Sequence, residues 1–385
     1  MNKIPRKICI VATVPFALKV FMRAHIEMLA QQNEVTLVTR GSASEMQQLL
    51  GPNVSFINVN FARKISFGAD LLALFALFGI FKKYRFDVVH SLMPKTGLLA
   101  MLAAYFSGVP HRIHTFTGQV WLNKAGLGRS ILKTFDRLIA FLATGLLTDS
   151  ASQRAFLIEQ KIVQGQRIAV LGHGSVCGVD LDRFKPNSLI RGNIRLELGI
   201  PAAATVVLFV GRVNQDKGVL DLAKAFVQIS KALPEMHLLL VGPDEGNLNQ
   251  LLQEVLAPCG PKYHRIGYTD RPEDYMACSD IFCLPSYREG FGSVIIEAAA
   301  VGLPAVASRI YGLTDAVCDE VTGILHEVKN VQQISDALVR LATDENLRAT
   351  MSLAAQERAR SLYSQNIITN EMRRYYDGFL FSRSR

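Results

Sequence analysis

Short apolar runs rich in β-branched residues alternate with stretches of helical periodicity along most of the chain, and this alternation limits the possible folds most strongly. Runs such as Lys7–Thr13, Glu34–Thr39 and Thr205–Val210 are predicted strands, and a stretch with helical spacing or turn residues follows each of them. Strands that alternate with helices predict a mostly parallel sheet covered by helices on both faces. Because the alternation occurs twice, the sequence predicts an α/β protein with two doubly wound parallel-sheet domains.

A glycine-rich segment, Gly172–Asp180, interrupts the alternation near the middle of the 385-residue chain. The linker-like Phe184–Asn187 follows it, and such a composition is typical of a domain boundary. We therefore predict an N-terminal domain of residues 1–185 and a C-terminal domain of residues 186–365. Residues 366–385 form a predicted terminal helix.

The composition, 49% hydrophobic and 19% charged, is typical of a soluble globular protein. Six scattered cysteines without a C-x-x-C motif indicate reduced thiols in a cytoplasmic protein and no metal site. The first residues lack a signal-peptide cleavage pattern, so we expect no secretion signal.

The net charge of +9 is concentrated in the first half of the chain. Residues 1–190 contain 22 Lys and Arg against 10 Asp and Glu, whereas residues 191–385 contain 20 against 23. A basic first half favours a polyanionic partner for that half alone, either nucleic acid or an anionic membrane surface. A merely solvated basic surface explains the same charge count.

An eleven-residue apolar run, Leu71–Phe81, lies within a predicted helix over residues 67–84. The run is too short to cross a bilayer, which needs about 20 apolar residues. A helix that is apolar all round is usually buried in a core. With the basic flanks Arg63-Lys64 and Lys82-Lys83, the same helix also suits a membrane interface, and both interpretations stay open.

The stretch Arg288–Ala298 combines a glycine-bearing turn with the start of a predicted helix, directly after the predicted buried strand within 280–286. Backbone N–H groups at a helix N-terminus bind anions well. Glu289 and Glu297 flank those donors, eight residues apart, and carboxylates are good acceptors for sugar hydroxyls. The alternative is that both acids only complement the helix dipole.

Arg212 and Lys217 follow the first strand of the second domain in a glycine-containing loop. Two cations in such a loop suit a diphosphate, since arginine binds it bidentately and lysine as a point charge. Surface salt bridges would explain them as well. The chain has no P-loop motif, and the first strand is not followed by G-x-G-x-x-G, which argues against a dinucleotide dehydrogenase.

Taken together, these segments resemble family 4 of the retaining glycosyltransferases, including bacterial enzymes that build surface glycans on polyprenyl-linked acceptors. The resemblance covers most of the chain and is carried by Gly178-Val179-Asp180 with Phe184, Gly211-Arg212 with Lys217-Gly218, Leu239–Gly246, Pro285-Ser286 with Glu289–Gly292 and Glu297-Ala298, and Gly302–Ala307. It implies the GT-B fold, in which two Rossmann-like domains face an inter-domain cleft. The terminal helix would then cross back to the first domain.

The resemblance also implies roles for individual residues. Arg212 and Lys217 would hold the donor diphosphate and stabilise the charge of the leaving nucleotide. Glu289 would contact the donor sugar, and Glu297 would bind the ribose hydroxyls. The remaining donor-binding residues implied by the resemblance are Gly211, Gly267, Tyr268, Gly290, Phe291, Gly292 and Ser293.

On the acceptor side, the resemblance implies that His114, expected just after a first-domain strand, lies next to the transferred sugar; a lone histidine is more often structural. Thr117-Gly118-Gln119 resembles the subgroup that acts on polyprenyl diphosphate carriers. The loop after the first strand, Thr13–Ala17, departs from the family because it lacks the usual glycines. This departure favours a more apolar, lipid-linked acceptor.

We therefore expect a retaining glycosyltransferase, a hexosyl- or N-acetylhexosaminyl-transferase, that moves a sugar from a UDP-sugar to a lipid-linked saccharide in cell-surface polysaccharide biosynthesis. A GT-B nucleotide-sugar epimerase and a non-enzymatic nucleotide-sugar-binding protein remain alternatives. We expect neither a cofactor nor a metal, and no nucleic-acid partner. The basic first domain would contact the anionic inner face of the cytoplasmic membrane, which implies a cytoplasmic, peripheral protein.

Overall fold

A computed structural model describes residues 5–62 and 66–381, which form two compact units. The first unit comprises Met1–Cys177 with Gln365–Arg385, and the second comprises Gly178–Ser364. The boundary expected after residue 185 therefore falls within the second unit. Residues 178–184 belong there because the Val179 N–H donates to the Tyr363 carbonyl at 2.8 Å and the Phe184 side chain is buried in the second unit's core.

The first unit is built on a seven-stranded parallel sheet with the order β3-β2-β1-β4-β5-β6-β7. Two apolar cores, one on each face, pack this sheet against its helices. The strands are β1 (Lys7–Val11), β2 (Glu34–Thr39), β3 (Val54–Asn58), β4 (Val88–Leu92), β5 (His111–Phe116), β6 (Gly145–Thr148) and β7 (Ile168–Val170).

Within the described part of residues 5–177, seven α-helices connect or follow these strands, and a π-helical segment, Leu18–Met22, links the first two helices. They are α1 (Pro15–Ala17), α2 (Arg23–Ala30), α3 (Ala43–Met46), α4 (Phe67–Tyr84), α5 (Pro94–Ser107), α6 (Gly126–Leu142) and α7 (Ala151–Glu159).

The second unit has a six-stranded parallel sheet with the order β10-β9-β8-β11-β12-β13. Its strands are β8 (Thr205–Val210), β9 (Met236–Val241), β10 (Tyr263–Ile266), β11 (Ile281–Leu284), β12 (Ala305–Ser308) and β13 (Gly323–His326). Its helices are α8 (Ser188–Glu197), α9 (Val219–Ile229), α10 (Asn249–Leu256), α11 (Pro272–Ala277), α12 (Ser293–Val301), α13 (Leu313–Ala316), α14 (Val331–Thr343) and α15 (Glu345–Tyr363). The prediction of two doubly wound α/β domains is confirmed.

The last helix, α16 (Gln365–Phe381), belongs to the first unit rather than to the second. Its residues Ile368, Met372 and Tyr376 are buried in a core of the first unit. The Tyr376 hydroxyl also forms a 2.8 Å hydrogen bond with Nδ1 of His90 on β4. The first unit is thus assembled from two separate stretches of chain.

Helix α4 has the bounds that the sequence predicts, but it is not a core helix. Only Ala73, Leu77 and Phe81 are buried, whereas Phe67 is 87% exposed and Leu72 is 73% exposed. The core interpretation is therefore wrong for most of the helix, because α4 packs on the unit through one narrow face. Of the predicted basic flanks, Arg63-Lys64 lies outside the described residues.

None of the helices in the described part of the chain combines the length and the apolar character needed to span a membrane.

Candidate functional site

The second sheet has its topological switch point between β8 and β11. The chain moves from β8 to β9 and β10 on one side, then returns to place β11 on the other side of β8. In doubly wound sheets, ligands bind at such a point, beyond the carboxyl ends of the strands. The two loops that leave β8 and β11 therefore define the candidate site.

The loop after β8 is fixed by a short 3₁₀ turn, Gln215–Lys217. The Asn214 side chain accepts a hydrogen bond from the Lys217 backbone N–H at 3.2 Å. Gly218 then ends the turn with φ of 64°, and a Cβ on it would lie 2.0 Å from the Pro285 carbonyl oxygen. Only glycine permits this approach, so the loop after β8 packs directly on the residues that follow β11.

Lys217 and Glu289 meet at this junction. The Lys217 ammonium pairs with Oε1 of Glu289, and the two side chains are only 17% and 13% exposed. The Ser286 hydroxyl donates to the same carboxylate oxygen at 2.8 Å. Because water is largely excluded, this pair interacts more strongly than a surface salt bridge. Lysine and glutamate from two loops thus form one electrostatic unit.

The N-terminus of α12 lies directly after Glu289. Gly292 occupies the N-cap position with φ of 77°, and within the described chain no side chain caps the helix. The N–H groups of the first turn of a helix carry partial positive charge and favour anions. The predicted donor residues Gly290 to Ser293 therefore offer backbone donors, whereas the Phe291 side chain packs on Tyr363 with ring centroids 5.2 Å apart.

Glu297 lies one turn further along α12 and is partly buried. Desolvation raises the pKa of its carboxyl group to about 7, although the charge of Arg183 acts in the opposite direction. The nearby Glu273 raises this pKa further. The carboxyl group is thus poised to change its charge near neutral pH.

Arg212 is not part of this cluster. Its guanidinium is 56% exposed and donates to Oε2 of Glu245 at 3.0 Å. The preceding Gly211 donates its N–H to the Val241 carbonyl at 3.0 Å and so ties the start of the loop to β9. The structure brings together Lys217 and Glu289 but pairs Arg212 with a different carboxylate.

Gly267 and Tyr268 follow β10 at the edge of the same sheet. The Gly267 carbonyl accepts a hydrogen bond from the Gly242 N–H at 3.1 Å, and the Tyr268 side chain is 66% exposed. Both lie at the carboxyl end of their strand, on the β9 side of the switch point.

His114 lies inside β5, so its expected position after that strand is wrong. The run Ile113–Phe116 is apolar and β-branched enough to continue the strand past His114. The imidazole is fully buried, its Nδ1 lies 2.9 Å from the Ser91 hydroxyl, and burial lowers its pKa to about 3. No hydrogen bond from the described residues reaches Nε2. His114 is therefore neutral at physiological pH.

Several residues that support the site were given no role from the sequence. Ser286 precedes Glu289 by three residues, a spacing that allows a turn contact and was available as a signal. Arg288 pairs with Asp216 at 3.0 Å, and the Tyr287 hydroxyl donates to Asp221 at 2.6 Å. The last two contacts join residues more than 60 positions apart, so no local sequence pattern predicts them.

Within residues 5–62 and 66–381, no group of three or more His, Cys, Asp or Glu side chains is arranged to hold a metal ion. The cations at the candidate site are instead lysine and arginine side chains.

Two family models match the chain. One, described as glycosyl transferases group 1, matches residues 191–358, and the other, described as a glycosyl transferase 4-like domain, matches residues 19–174. The chain is also 27% identical to the capsular polysaccharide biosynthesis glycosyltransferase CapM of Staphylococcus aureus, over 93% of this chain and 94% of the relative. A second relative is the Escherichia coli UDP-Gal:alpha-D-GlcNAc-diphosphoundecaprenol alpha-1,3-galactosyltransferase, 28% identical over 82% of each chain.

Among solved structures, the chain resembles Anabaena HepE, crystallised in complex with UDP and glucose. The TM-score is 0.80, with 17% sequence identity over 97% of this chain and 100% of the other. At that identity the likeness concerns the fold alone, and it confirms the GT-B class. Because the two family models together span most of both units and near full-length relatives are named glycosyltransferases, the chain belongs to the group 1 glycosyl transferases, with a glycosyl transferase 4-like first domain.

Proposed function

We propose that this glycosyltransferase moves a hexosyl or N-acetylhexosaminyl group from a UDP-sugar to a lipid-linked saccharide, with retention of anomeric configuration, during cell-surface polysaccharide synthesis. The observation that carries the proposal is the shielded Lys217–Glu289 pair, which lies at the switch point of the second sheet beside the N-terminus of α12. A cation and a helix N-terminus suit the diphosphate of a sugar nucleotide, and a carboxylate beside them suits the hydroxyls of its sugar.

Each group then has a distinct task. Lys217 and the first-turn N–H groups of α12 bind the diphosphate and stabilise the negative charge that builds up on the leaving UDP. Glu289 accepts hydrogen bonds from sugar hydroxyls, and Ser286 holds its carboxylate in place. Glu297 binds the ribose hydroxyls. Arg212 exchanges Glu245 for the diphosphate when the donor binds.

The proposed reaction replaces one bond to the anomeric carbon on a single face of the sugar. The bond from the anomeric carbon to the β-phosphate oxygen breaks, and the acceptor oxygen forms its new bond on the same face. The acceptor hydroxyl proton passes to the departing phosphate oxygen, so no protein base is consumed. The role of Lys217 is electrostatic throughout, and neither a metal nor another cofactor takes part.

Support for the donor and the acceptor comes from the relatives. The E. coli relative is named for a UDP-galactose donor and a diphosphoundecaprenol-linked acceptor, and Anabaena HepE was crystallised with UDP. We assign acceptor binding to the first unit.

We also propose that the first unit contacts an anionic membrane through the exposed α4 face, which we define as Phe67, Leu71, Leu72 and Phe75. These side chains are between 42% and 87% exposed. Lys82, Lys83 and Arg85 are exposed at the C-terminal end of the helix. Apolar side chains with adjacent cations suit the interface of an anionic bilayer, where each cation contributes about 1 kcal/mol.

A donor screen tests the enzymatic proposal. The protein is incubated with a polyprenyl-diphosphate-linked monosaccharide and each of several UDP-, GDP- and dTDP-sugars, and nucleotide release and the glycolipid product are measured. We expect turnover with a UDP-sugar and, by NMR of the product, the anomeric configuration of the donor. An inverted product would contradict retention, and turnover with a GDP- or dTDP-sugar alone would contradict the proposed donor.

A further inference from the structure

We propose that Tyr287 is a positioning residue for recognition of the donor sugar, because it holds the loop that carries Glu289 against the segment that carries Lys217. We call residues 211–218 the β8 loop and residues 285–292 the β11 loop. The inference rests on the proposed function, since it takes Glu289 as the sugar contact and Lys217 as the diphosphate contact. Tyr287 touches no part of the donor in this proposal.

The backbones of the two loops already lie in contact around Tyr287. The Tyr287 N–H donates to the Asp216 carbonyl at 2.8 Å. Two residues earlier, the Pro285 carbonyl lies so close to Gly218 that a Cβ on the glycine would be 2.0 Å from its oxygen. Arg288 also pairs with the Asp216 carboxylate at 3.0 Å, but that carboxylate is 45% exposed and the pair contributes little. The β11 loop therefore follows the β8 loop in a fixed register.

The side chain of Tyr287 adds a shielded tie to α9. Its hydroxyl donates to Oδ2 of Asp221 at 2.6 Å. Asp221 lies in the first turn of α9 and is only 8% exposed. A carboxylate acceptor that is shielded from water makes a stronger hydrogen bond than a neutral or exposed one. The Lys329 ammonium lies over the Tyr287 ring, 5.1 Å from its centroid. We call the hydrogen bond from Tyr287 to Asp221 the Tyr287–Asp221 clamp.

The clamp lies close in sequence to both members of the catalytic ion pair. Lys217 precedes Asp221 by four residues, and Glu289 follows Tyr287 by two. The Lys217 ammonium pairs with Oε1 of Glu289 across the same two loops. The relative position of these side chains depends on the distance between their backbones, which the clamp fixes. A displacement of about 1 Å is enough to weaken a preorganised contact.

Loss of the clamp should weaken sugar recognition more than nucleotide binding. In the proposed function the diphosphate has several holders, namely Lys217, Arg212 and the first-turn N–H groups of α12. The sugar is assigned to Glu289 alone, so its recognition depends on the position of one carboxylate. The alternative is that the clamp only stabilises the second unit. A general structural role would weaken the binding of UDP and of a UDP-sugar equally.

The test compares wild type and Tyr287→Phe as full chains, with isothermal titration calorimetry of UDP and of the UDP-sugar found in the donor screen. Tyr287→Phe removes only the hydroxyl group. We expect Kd for the UDP-sugar to rise about tenfold, the loss of one hydrogen bond to a carboxylate, while Kd for UDP changes little. Equal increases for both ligands would show a general structural role and overturn the proposal. An unchanged Kd for the UDP-sugar would overturn it as well.

Variants of Asp221 separate the clamp from a general loss of stability. Asp221→Asn keeps an acceptor oxygen for the hydroxyl and retains the preference of the wild type for the UDP-sugar over UDP. Asp221→Ala removes the acceptor and reproduces the loss seen in Tyr287→Phe. The double variant Tyr287→Phe/Asp221→Ala then loses no more than either single variant. Losses that add in the double variant would show that the two side chains act independently and would refute the clamp.

Tyr105→Phe is the matched control, since Tyr105 is a 48% exposed tyrosine on α5 of the first unit. It keeps the wild-type Kd for both ligands.

Transfer to the lipid-linked acceptor, measured in parallel, keeps the inference separate from the proposed function. Wild-type transfer combined with equal losses of UDP and UDP-sugar binding in Tyr287→Phe refutes the inference and leaves the proposed function intact. A selective loss of UDP-sugar binding in Tyr287→Phe, without transfer by the wild type to any acceptor, supports the clamp and refutes the proposed transferase activity instead.

Discussion

The two units are both built on doubly wound parallel sheets but surround those sheets with opposite chemistry. In the second unit, Lys217 and Glu289 form a shielded ion pair between the loops after β8 and β11. In the first unit, the neighbouring strands β4 and β5 carry His90 and His114, and burial lowers the pKa of each imidazole to about 3. The second unit thus brings charges together, whereas the first unit buries neutral hydrogen-bonding groups.

The same fold therefore supports different chemistry in its two copies. A charged site suits a dianionic diphosphate. A buried network of neutral groups instead excludes a stray ion, because an isolated charge is costly to bury. The experiments below test whether the charges of the second unit govern turnover while the neutral network of the first unit governs stability.

The largest effect is expected for Lys217→Ala. Removing one preorganised donor from a developing negative charge lowers kcat by about 10²–10³-fold, and it also leaves Glu289 without its cation. Steady-state release of UDP measures the change. Lys224→Ala, an exposed lysine on α9, is the control and retains full activity. Near wild-type turnover of Lys217→Ala would show that the charge of Lys217 does not govern catalysis.

The next effect is on the stability of the first unit. Tyr376→Phe removes the 2.8 Å hydrogen bond to Nδ1 of His90 and leaves a buried imidazole nitrogen unpaired. The free energy of unfolding should fall by about 1–3 kcal/mol. Urea denaturation followed by circular dichroism measures it, with Tyr268→Phe as the exposed control. An unchanged midpoint would show that the neutral network adds nothing to the first unit.

A smaller effect is expected for the exposed α4 face. Leu72→Ser and Phe75→Ser each weaken binding to anionic phospholipid vesicles about tenfold, because each removes an apolar side chain worth roughly 1.5 kcal/mol at the interface. Co-sedimentation with vesicles measures the partition coefficient. Leu353→Ser, which alters a 69% exposed leucine on α15 of the second unit, leaves binding unchanged. Equal losses of vesicle binding in all three variants would show that the exposed α4 face has no specific role in membrane binding.

The smallest effect comes from a glycine in the middle of α4. A Cβ on Gly79 meets no atom within 4 Å, so Gly79→Ala should stabilise the protein by about 0.5–1 kcal/mol. Gly97 on α5 is its contrast, because a Cβ there would lie 2.4 Å from Cε1 of His114. Gly97→Ala is therefore destabilising, by about 1–3 kcal/mol. If Gly97→Ala did not lower the melting temperature, the packing around His114 would have to be loose enough to accept the added methyl group.

Much of the fold was predictable because the sequence patterns that indicate its strands and helices are local. The strand at Glu34–Thr39 and the helix over residues 67–84 have the predicted bounds. Helix α8 was missed after the linker-like Phe184–Asn187, since its first turn depends on a cap: the Asn187 side chain accepts from the Ile190 N–H at 3.1 Å. Its buried Arg195, which binds Asp280 at 2.7 Å, gives no apolar signal in the sequence.

The candidate site was predictable as a set of residues but not as an arrangement. Lys217 and Glu289 were identified from their loops, yet their pairing depends on the order of strands in the sheet, because β8 and β11 lie side by side. The exposure of α4 likewise could not be predicted from the sequence, since a helix with apolar residues on every side does not indicate which side packs on the core. Tertiary packing decides both the pairing of Lys217 with Glu289 and the side of α4 that is exposed.

Helix α16 imposes an order on the synthesis and folding of this protein. The core of the first unit needs Ile368, Met372 and Tyr376, which are synthesised after the whole of the second unit. The second unit is a single unbroken stretch, Gly178–Ser364, and is fully synthesised earlier. The first unit therefore lacks part of its core until the second unit has been synthesised, and a chain that stops short of residue 365 contains the whole second unit but an incomplete first unit.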